Sequence, residues 1–311
     1  MGLRIRTNVA SLNAQRRLGS STEALQGSMN KLASGSRINK AADDAAGLAV
    51  SENLRADVRG LNQARRNAND GVSLVQTAEG GLEETSNMLI RLRELAVQAS
   101  SDTIGNEERG FLNQEYMQLK DEIDRIAAST EFNGTRLLVG EEAGNLPEEL
   151  QTQANDFPLE IQVGKDYYSE SDAIDKRNQV NIIKIDMSKL NAFTSGLGLG
   201  EAEPDEGGGG TRVDNKVNAQ QSINVVDGAI NKVNEYRAYL GAIQNRFVST
   251  ISSLGVQVEN LDSARSRVRD ADYASETALF TQNSILQQAG TSVLSQANQQ
   301  PQIALSLLQS M

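Results

Sequence analysis

The chain of 311 residues has no cysteine, no histidine, no tryptophan and only four prolines. Each absence removes a class of function. Without His or Cys there is no imidazole-based triad, no thiolate nucleophile and no zinc site of the usual ligand set. A metalloprotease insert of the HExxH kind is excluded for the same reason. Missing cysteine also rules out a disulfide framework, as suits a reducing compartment or a chain threaded unfolded through a channel. Aromatics are 4% of residues, too few for a dense aromatic core, and scarce proline leaves long helices uninterrupted. No run reaches the ~18 apolar residues of a membrane span. Met1 to Asn8 lead into no apolar segment of the kind a cleavable signal carries. The net charge of −11 argues against a nucleic-acid surface, which needs clustered Lys and Arg; the local cluster Arg4, Arg6, Arg16 and Arg17 has no aromatics interleaved. The pairs Glu141-Glu142 and Glu148-Glu149 lie in a polar loop with nothing apparent to raise a pKa, so they read as solvated charge. No enzyme, cofactor or metal is expected.

What is present is periodic. Near the start Ile5 and Leu12 lie seven apart, and Leu18, Leu25 and Leu32 repeat that step. Near the end Leu279, Leu286 and Val293 do the same. Such spacing lines side chains along one stripe of a helix, a narrow seam suited to a partner helix. Gln, Asn, Ser and small residues flank both stripes, so neither end makes a core alone, and both point to assembly. From Val226 to Leu261 apolar positions recur in steps of four and three, with only Arg237 and Gln244 polar among them; a continuous helix there is roughly 54 Å long. Leu54, Leu61, Ala68, Val75, Leu82, Leu89 and Ala96 keep a seven-residue step, with a bend expected at Gly80-Gly81. A third helix is predicted through Leu112, Tyr116, Leu119, Ile123 and Ile126, with Asn106 as its N-cap and Asn133-Gly134 as the turn after it. Leu159, Ile161 and Val163, then Ile183, Ile185 and Met187, alternate as two short strands. The loop between them is acidic, and Gly196 to Gly210 reads as a flexible connector. Asp43-Asp44, which could suggest a cation site, reads better as a helix start. Asn133-Gly134-Thr135 fits a glycosylation sequon, but the turn reading dominates.

These residues are recognisable. The run Ile5-Arg6-Thr7-Asn8-Val9-Ala10-Ser11-Leu12-Asn13-Ala14 resembles the opening motif of the bacterial flagellins. Leu32-Ala33-Ser34-Gly35-Ser36-Arg37-Ile38-Asn39, followed by Ala41-Ala42-Asp43-Asp44-Ala45-Ala46-Gly47-Leu48-Ala49, is similar to that family's most diagnostic block. At the other end Ser263-Ala264-Arg265-Ser266-Arg267, Asp272-Tyr273-Ala274 and Ile285-Leu286-Gln287-Gln288-Ala289-Gly290 are equally typical.

The resemblance implies a mainly α fold, a long helical coiled-coil rod built from the terminal segments, with a small central β-hairpin and no large outer domains. Residues 1–42 and 265–311 would pair as an inner-tube coiled coil. Residues 43–190 and 212–264 would form the rod, with the hairpin at about 159–187, and 191–211 a Gly-rich connector in place of outer domains. Ile5, Leu12, Leu25, Leu32, Leu279, Leu286 and Val293 would then pack the inner tube. Arg91, Leu95 and Glu115 align with the surface read by an animal Toll-like receptor, although Ile90 stands where many well-recognised members have a polar residue. Neighbouring subunits would cover the same face. The implied function is a self-assembling filament subunit for swimming motility, secreted and extracellular. Its partners would be copies of itself, an export chaperone and the export gate, the filament cap and the hook-junction proteins. Two other readings stand beside it: a hook–filament junction protein, separable by abundance in sheared filaments, and a monomeric secreted binding protein, separable by protease-resistant ends.

Overall fold

The computed structural model describes residues 8–140, 157–166, 180–200 and 211–309, the last ten of these as backbone only. Four long helices dominate: α1 (Val9–Ser34), α2 (Ala45–Ala99), then, after α3 (Asn106–Ser129) and a short α4 (Thr194–Leu197), α5 (Lys216–Arg269) and α6 (Tyr273–Gln309). The strands are β1 (Glu131–Phe132), β2 (Thr135–Arg136), β3 (Leu159–Gln162) and β4 (Ile182–Ile185). Two compact units emerge, Met1–Val58 with Glu259–Met311, and Arg59–Val258. The motif reading put the change at 42 and 265. It lies further along α2 and further back along α5, because the first turns of α2 are tied at Glu52 to Arg269.

In the Arg59–Val258 unit the seven-residue seam of α2 is buried at Leu61, Ala68, Val75, Leu82, Leu89 and Ala96. On α5 Val226, Val233, Leu240, Phe247 and Leu254 are buried in the same rhythm. The helices run antiparallel, as the pairs Arg93–Asp227 (2.6 Å) and Glu79–Arg237 (3.5 Å) require. The second of these accounts for Arg237, a polar residue in an apolar series: it reaches back to a carboxylate on the facing helix. Gly80-Gly81 does not interrupt α2. Gly81 instead makes room, since a Cβ there would come within 2.6 Å of Thr130 Oγ1 and 2.8 Å of Leu138 Cδ1. Gly71 does the same for Phe247 and Ile161.

The predicted N-cap Asn106 is the first residue of α3 rather than its cap, which falls to Gly105. Asn106 is occupied elsewhere: its Oδ1 accepts from Arg109 Nη1 at 2.8 Å. Arg109, 7% exposed, also donates to the carbonyls of Ala99 (2.8 Å) and Ser101 (2.9 Å), closing the α2–α3 connection. Asn133 (φ 51°) and Gly134 (φ 79°) form the two-residue turn between β1 and β2, the left-handed pair that suits the twist of a hairpin. β3 and β4 pair antiparallel, Leu159 opposite Ile185 and Ile161 opposite Ile183.

The expected connector begins later than the glycines suggest. Ala192 N donates to Leu138 O, Leu197 and Leu199 are buried, and Gly198 caps α4 at φ 85°. Lys232 and Lys120 donate to the carbonyls of Gly196 and Gly200. The two leucines bury enough apolar surface to hold this stretch against the unit. Residues 201–210, with the four remaining glycines, the acidic loop around Tyr167 and Asp172, and Glu141 to Glu149 lie outside the described residues.

Candidate assembly surface

In the unit formed by the chain ends, α1 and α6 pair antiparallel. Asn8 Oδ1 accepts from Ser11 N (3.1 Å), capping α1, while Asn8 Nδ2 donates to Ala297 O (2.7 Å). Ser11 Oγ donates to Asn298 Oδ1 (2.8 Å), and at the other end Lys31 Nζ lies 3.9 Å from Glu276. Between these contacts the inner stripe of α1 is Ser11, Ala14, Leu18, Ser21, Leu25, Ser28 and Leu32. On α6 it is Glu276, Phe280, Asn283, Gln287, Gly290, Leu294 and Ala297. All are buried or half-buried and spaced by threes and fours, the coiled-coil rhythm.

The terminal seams expected to pack together are therefore divided. Ile5 lies outside the described residues. Leu25 and Leu32 join Leu18 on the inner stripe. Leu12, Leu279, Leu286 and Val293 do not: they remain 51%, 46%, 48% and 58% exposed, on the outer side of the hairpin. The inner stripe mixes leucines and Phe280 with small residues, and at Gly290 the lack of a side chain lets the backbones approach, since a Cβ there would meet Leu18 Cδ1 at 3.3 Å. Alongside the pair runs an open groove of about 670 Å³, lined among others by Ala14, Leu18, Leu286, Gly290 and Val293. Covering the exposed half of each outer side chain is worth about 1 kcal/mol. No Asp, Glu, Lys or Arg follows Glu276, so a partner packing on the last 35 residues desolvates no side-chain charge there.

The two most diagnostic sequence blocks meet in space. α1 ends at Gly35 in the left-handed conformation (φ 67°). Beyond it Arg37 N donates to Arg269 O (2.7 Å), Ala271 N to Gly35 O (3.0 Å) and Arg37 Nη2 to Val268 O (2.7 Å). This stitches the α1–α2 loop to the α5–α6 loop. Asp43 Oδ2 accepts from the backbone N–H groups of Asn39 and Lys40, and these bonds hold its carboxyl below the usual range. Asp44 Oδ1 accepts from Gly47 N (2.9 Å), so the acidic pair starts a helix, as read from sequence. The Arg269 hydrogen bond likewise depresses the Glu52 carboxyl.

Arg91, Leu95 and Glu115 are only partly brought together. Arg91 Nη2 and Glu115 Oε1 are 2.7 Å apart, with Glu94 2.9 Å from Arg91 Nη1, and all three side chains are exposed. Glu115 first, then Glu94, raises the Arg91 pKa. Leu95 is fully buried and belongs to the core of its own unit, so it offers no surface to a neighbour or a receptor. The period that marks it as a seam neighbour of Leu92 and Ala96 was in the sequence; α3 covering it was not. Arg109 and Lys120, polar residues on the buried face of α3 beside Tyr116, lie outside the apolar series that marked that helix in the sequence.

Among the described residues no group of three or more His, Cys, Asp or Glu could hold a metal ion, and no helix is long and apolar enough to cross a membrane. Comparison with known proteins identifies the chain. Residues 5–143 match the bacterial flagellin N-terminal helical region and residues 223–308 the bacterial flagellin C-terminal helical region. The chain is 41% identical to a flagellin of Halalkalibacterium halodurans over 304 residues, 98% of this chain and 99% of that one. It is 41% identical to a Bacillus subtilis flagellin (98% and 100% covered) and 40% identical to the flagellar filament 33 kDa core protein of Treponema phagedenis (98% and 99%). A solved putative flagellar hook-associated protein of Vibrio parahaemolyticus, 14% identical with a TM-score of 0.54, shares the fold over 73% of this chain and 100% of its own. With terminal helices, paired loops and a short centre matched over almost its whole length, the chain belongs to the bacterial flagellins, the structural subunits of the flagellar filament.

Proposed function

We propose that the α1–α6 hairpin is the inner-tube element of this subunit, and that Leu12, Leu279, Leu286 and Val293 are the positions through which it packs on neighbouring copies. The observation that carries this is their outward placement: four apolar side chains, each about half exposed, on a hairpin whose own contact is made by a different stripe, with a groove beside it lined by Leu286 and Val293. Ile5 continues the α1 seam in sequence. The unit Arg59–Val258, with the β3–β4 pair, is the surrounding rod. Copies related by a non-closing rotation form an open helical polymer rather than a ring, and that polymer is the extracellular filament. Before assembly the uncharged outer face of α6 suits an export chaperone that shields it on the way to the export gate. Cap and junction proteins meet the same hairpin surface at the filament ends. On this chain a Toll-like receptor would read the exposed Arg91–Glu115 pair without Leu95.

The test is polymerisation by salting-out, followed by sedimentation and negative-stain electron microscopy, for the parent and for Leu286→Asp and Val293→Asp. Filaments from the parent alone, with unchanged monomer melting for both variants, are expected. Filaments from both variants at parental yield would remove these residues from the interface.

A further inference from the structure

The methionines of this chain are placed in two ways. Met187 is fully buried, Met88 packs against the core of its unit and Met117 is half-buried. Met29 on α1 is 58% exposed, the one exposed methionine among the described residues. It follows Ser28 of the inner stripe, on the flank that the groove does not occupy. On α1 the groove is lined by the seven-residue row Ala10, Arg17 and Ala24. The other flank carries the rows Leu12, Gly19, Gln26 and Gln15, Thr22, Met29, which neighbour each other at spacings of three and four. All six residues are exposed and none is charged. Leu12 and Met29 are the large apolar side chains among them, about 25 Å apart along the helix. Another copy can therefore seat on this flank without desolvating a side-chain charge. A thioether is flexible and polarizable and fills an irregular hollow well. It is also open to oxidation, and its sulfoxide is polar and chiral where the thioether was apolar.

We propose that Met29 is an oxidation site that controls incorporation of the subunit: resting on the assembly role of the α1–α6 hairpin, its thioether seats against a neighbouring copy, and its sulfoxide blocks that contact. The oxidant is a peroxide. One oxygen of hydrogen peroxide passes to the sulfur, an S–O bond forms as the O–O bond breaks, the sulfur gives up two electrons and the peroxide leaves as water. A copy whose ends are not yet packed exposes the sulfur at least as fully, so the chemistry is open throughout the monomer stage. Assembly closes the flank and ends it.

Full-length parent and Met29→Leu are treated with hydrogen peroxide, as monomer and as filaments grown by salting-out, and sulfoxide at each methionine is quantified by peptide mass spectrometry. In filaments the Met29 rate falls about tenfold from its monomer value. Oxidised parent monomer needs about a tenfold higher concentration for seeded growth, because the contact must now cover a polar group. Methionine sulfoxide reductases with dithiothreitol restore parental growth, and oxidised Met29→Leu grows like its untreated form. Met29→Gln, a polar mimic of the sulfoxide, grows like the oxidised parent with no treatment. The proposal is overturned by equal Met29 oxidation in filaments and monomer, by parental growth of the oxidised parent or of Met29→Gln, or by equal impairment of oxidised Met29→Leu. Untreated parent that forms no filaments would overturn the assembly reading, and the proposal with it.

Discussion

Leu95 offers a sharp test because sequence motif and structure assign it different work. It lies on α2 at full burial, within the apolar cluster that includes Leu92, Ala96, Tyr116 and Ile123. Truncation to alanine removes three buried carbons and leaves a space that neighbours fill only in part, a change that costs about 2–5 kcal/mol. A domain of this class has a total stability of ~5–15 kcal/mol. For a unit of about 200 residues each kcal/mol moves the melting temperature by about 2–4 °C, so a mid-range loss of ~3 kcal/mol predicts a fall of roughly 6–12 °C. The assay is calorimetry or far-ultraviolet circular dichroism of the full-length monomer, with Arg91→Ala measured beside it. Arg91 and its partners are exposed and screened, so that variant should melt within about 2 °C of the parent. The reasoning would be refuted by Leu95→Ala melting like the parent while failing to polymerise, for that would put the side chain at the surface.

Two further outcomes follow from local geometry. Gly81→Val should lower stability by about 1–3 kcal/mol, because its side chain meets Thr130 and Leu138. The neighbouring Gly80→Ala, with open space around its Cβ, should raise stability by about 0.5–1 kcal/mol; equal thermal shifts for the two would contradict the packing. Asp43 titrates below the ordinary Asp value of 3.8 because the Lys40 and Asn39 amides bond its ionised form. Its folded pKa is depressed, so its contribution is present above that ordinary value and is lost as pH falls through the lower folded value. Asp43→Asn should therefore flatten the dependence of the urea midpoint on pH below about pH 4. A curve parallel to the parent's in that range would show that the carboxylate contributes nothing.

Much of the rod was legible because its periodicity and its burial coincide. Every α2 seam position from Leu61 to Ala96 is buried, and the α5 series holds with Arg237 answered by Glu79. The Asn133-Gly134 turn and the Asp44 helix start were legible too, since both depend on chemistry within a few residues. Three features were not. Gly81 looks like a helix breaker until Thr130 and Leu138 arrive beside it. Asn106 looks like a cap until Arg109 claims its side chain. Leu197 and Leu199 sit in a glycine-rich stretch whose order comes from the surface they cover and from carbonyls bonded by Lys232 and Lys120, residues distant in sequence.

The sequence by itself determined the long helices and the existence of a stripe on each, though not their ends, since the helix read from Val226 to Leu261 runs from Lys216 to Arg269; a seven-residue step specifies which side chains share a face whatever lies opposite. The family motifs at both ends added the class of molecule. Only the tertiary structure decided what each stripe faces. Leu25 turns toward α6, whereas Leu286 turns away from α1; both lie on seven-residue repeats. The difference comes from the antiparallel pairing of α1 and α6, which brings residues nearly the whole chain apart into contact and sets one stripe of each helix against the other. Periodicity is local and one-dimensional, so it can name a face but not its neighbour.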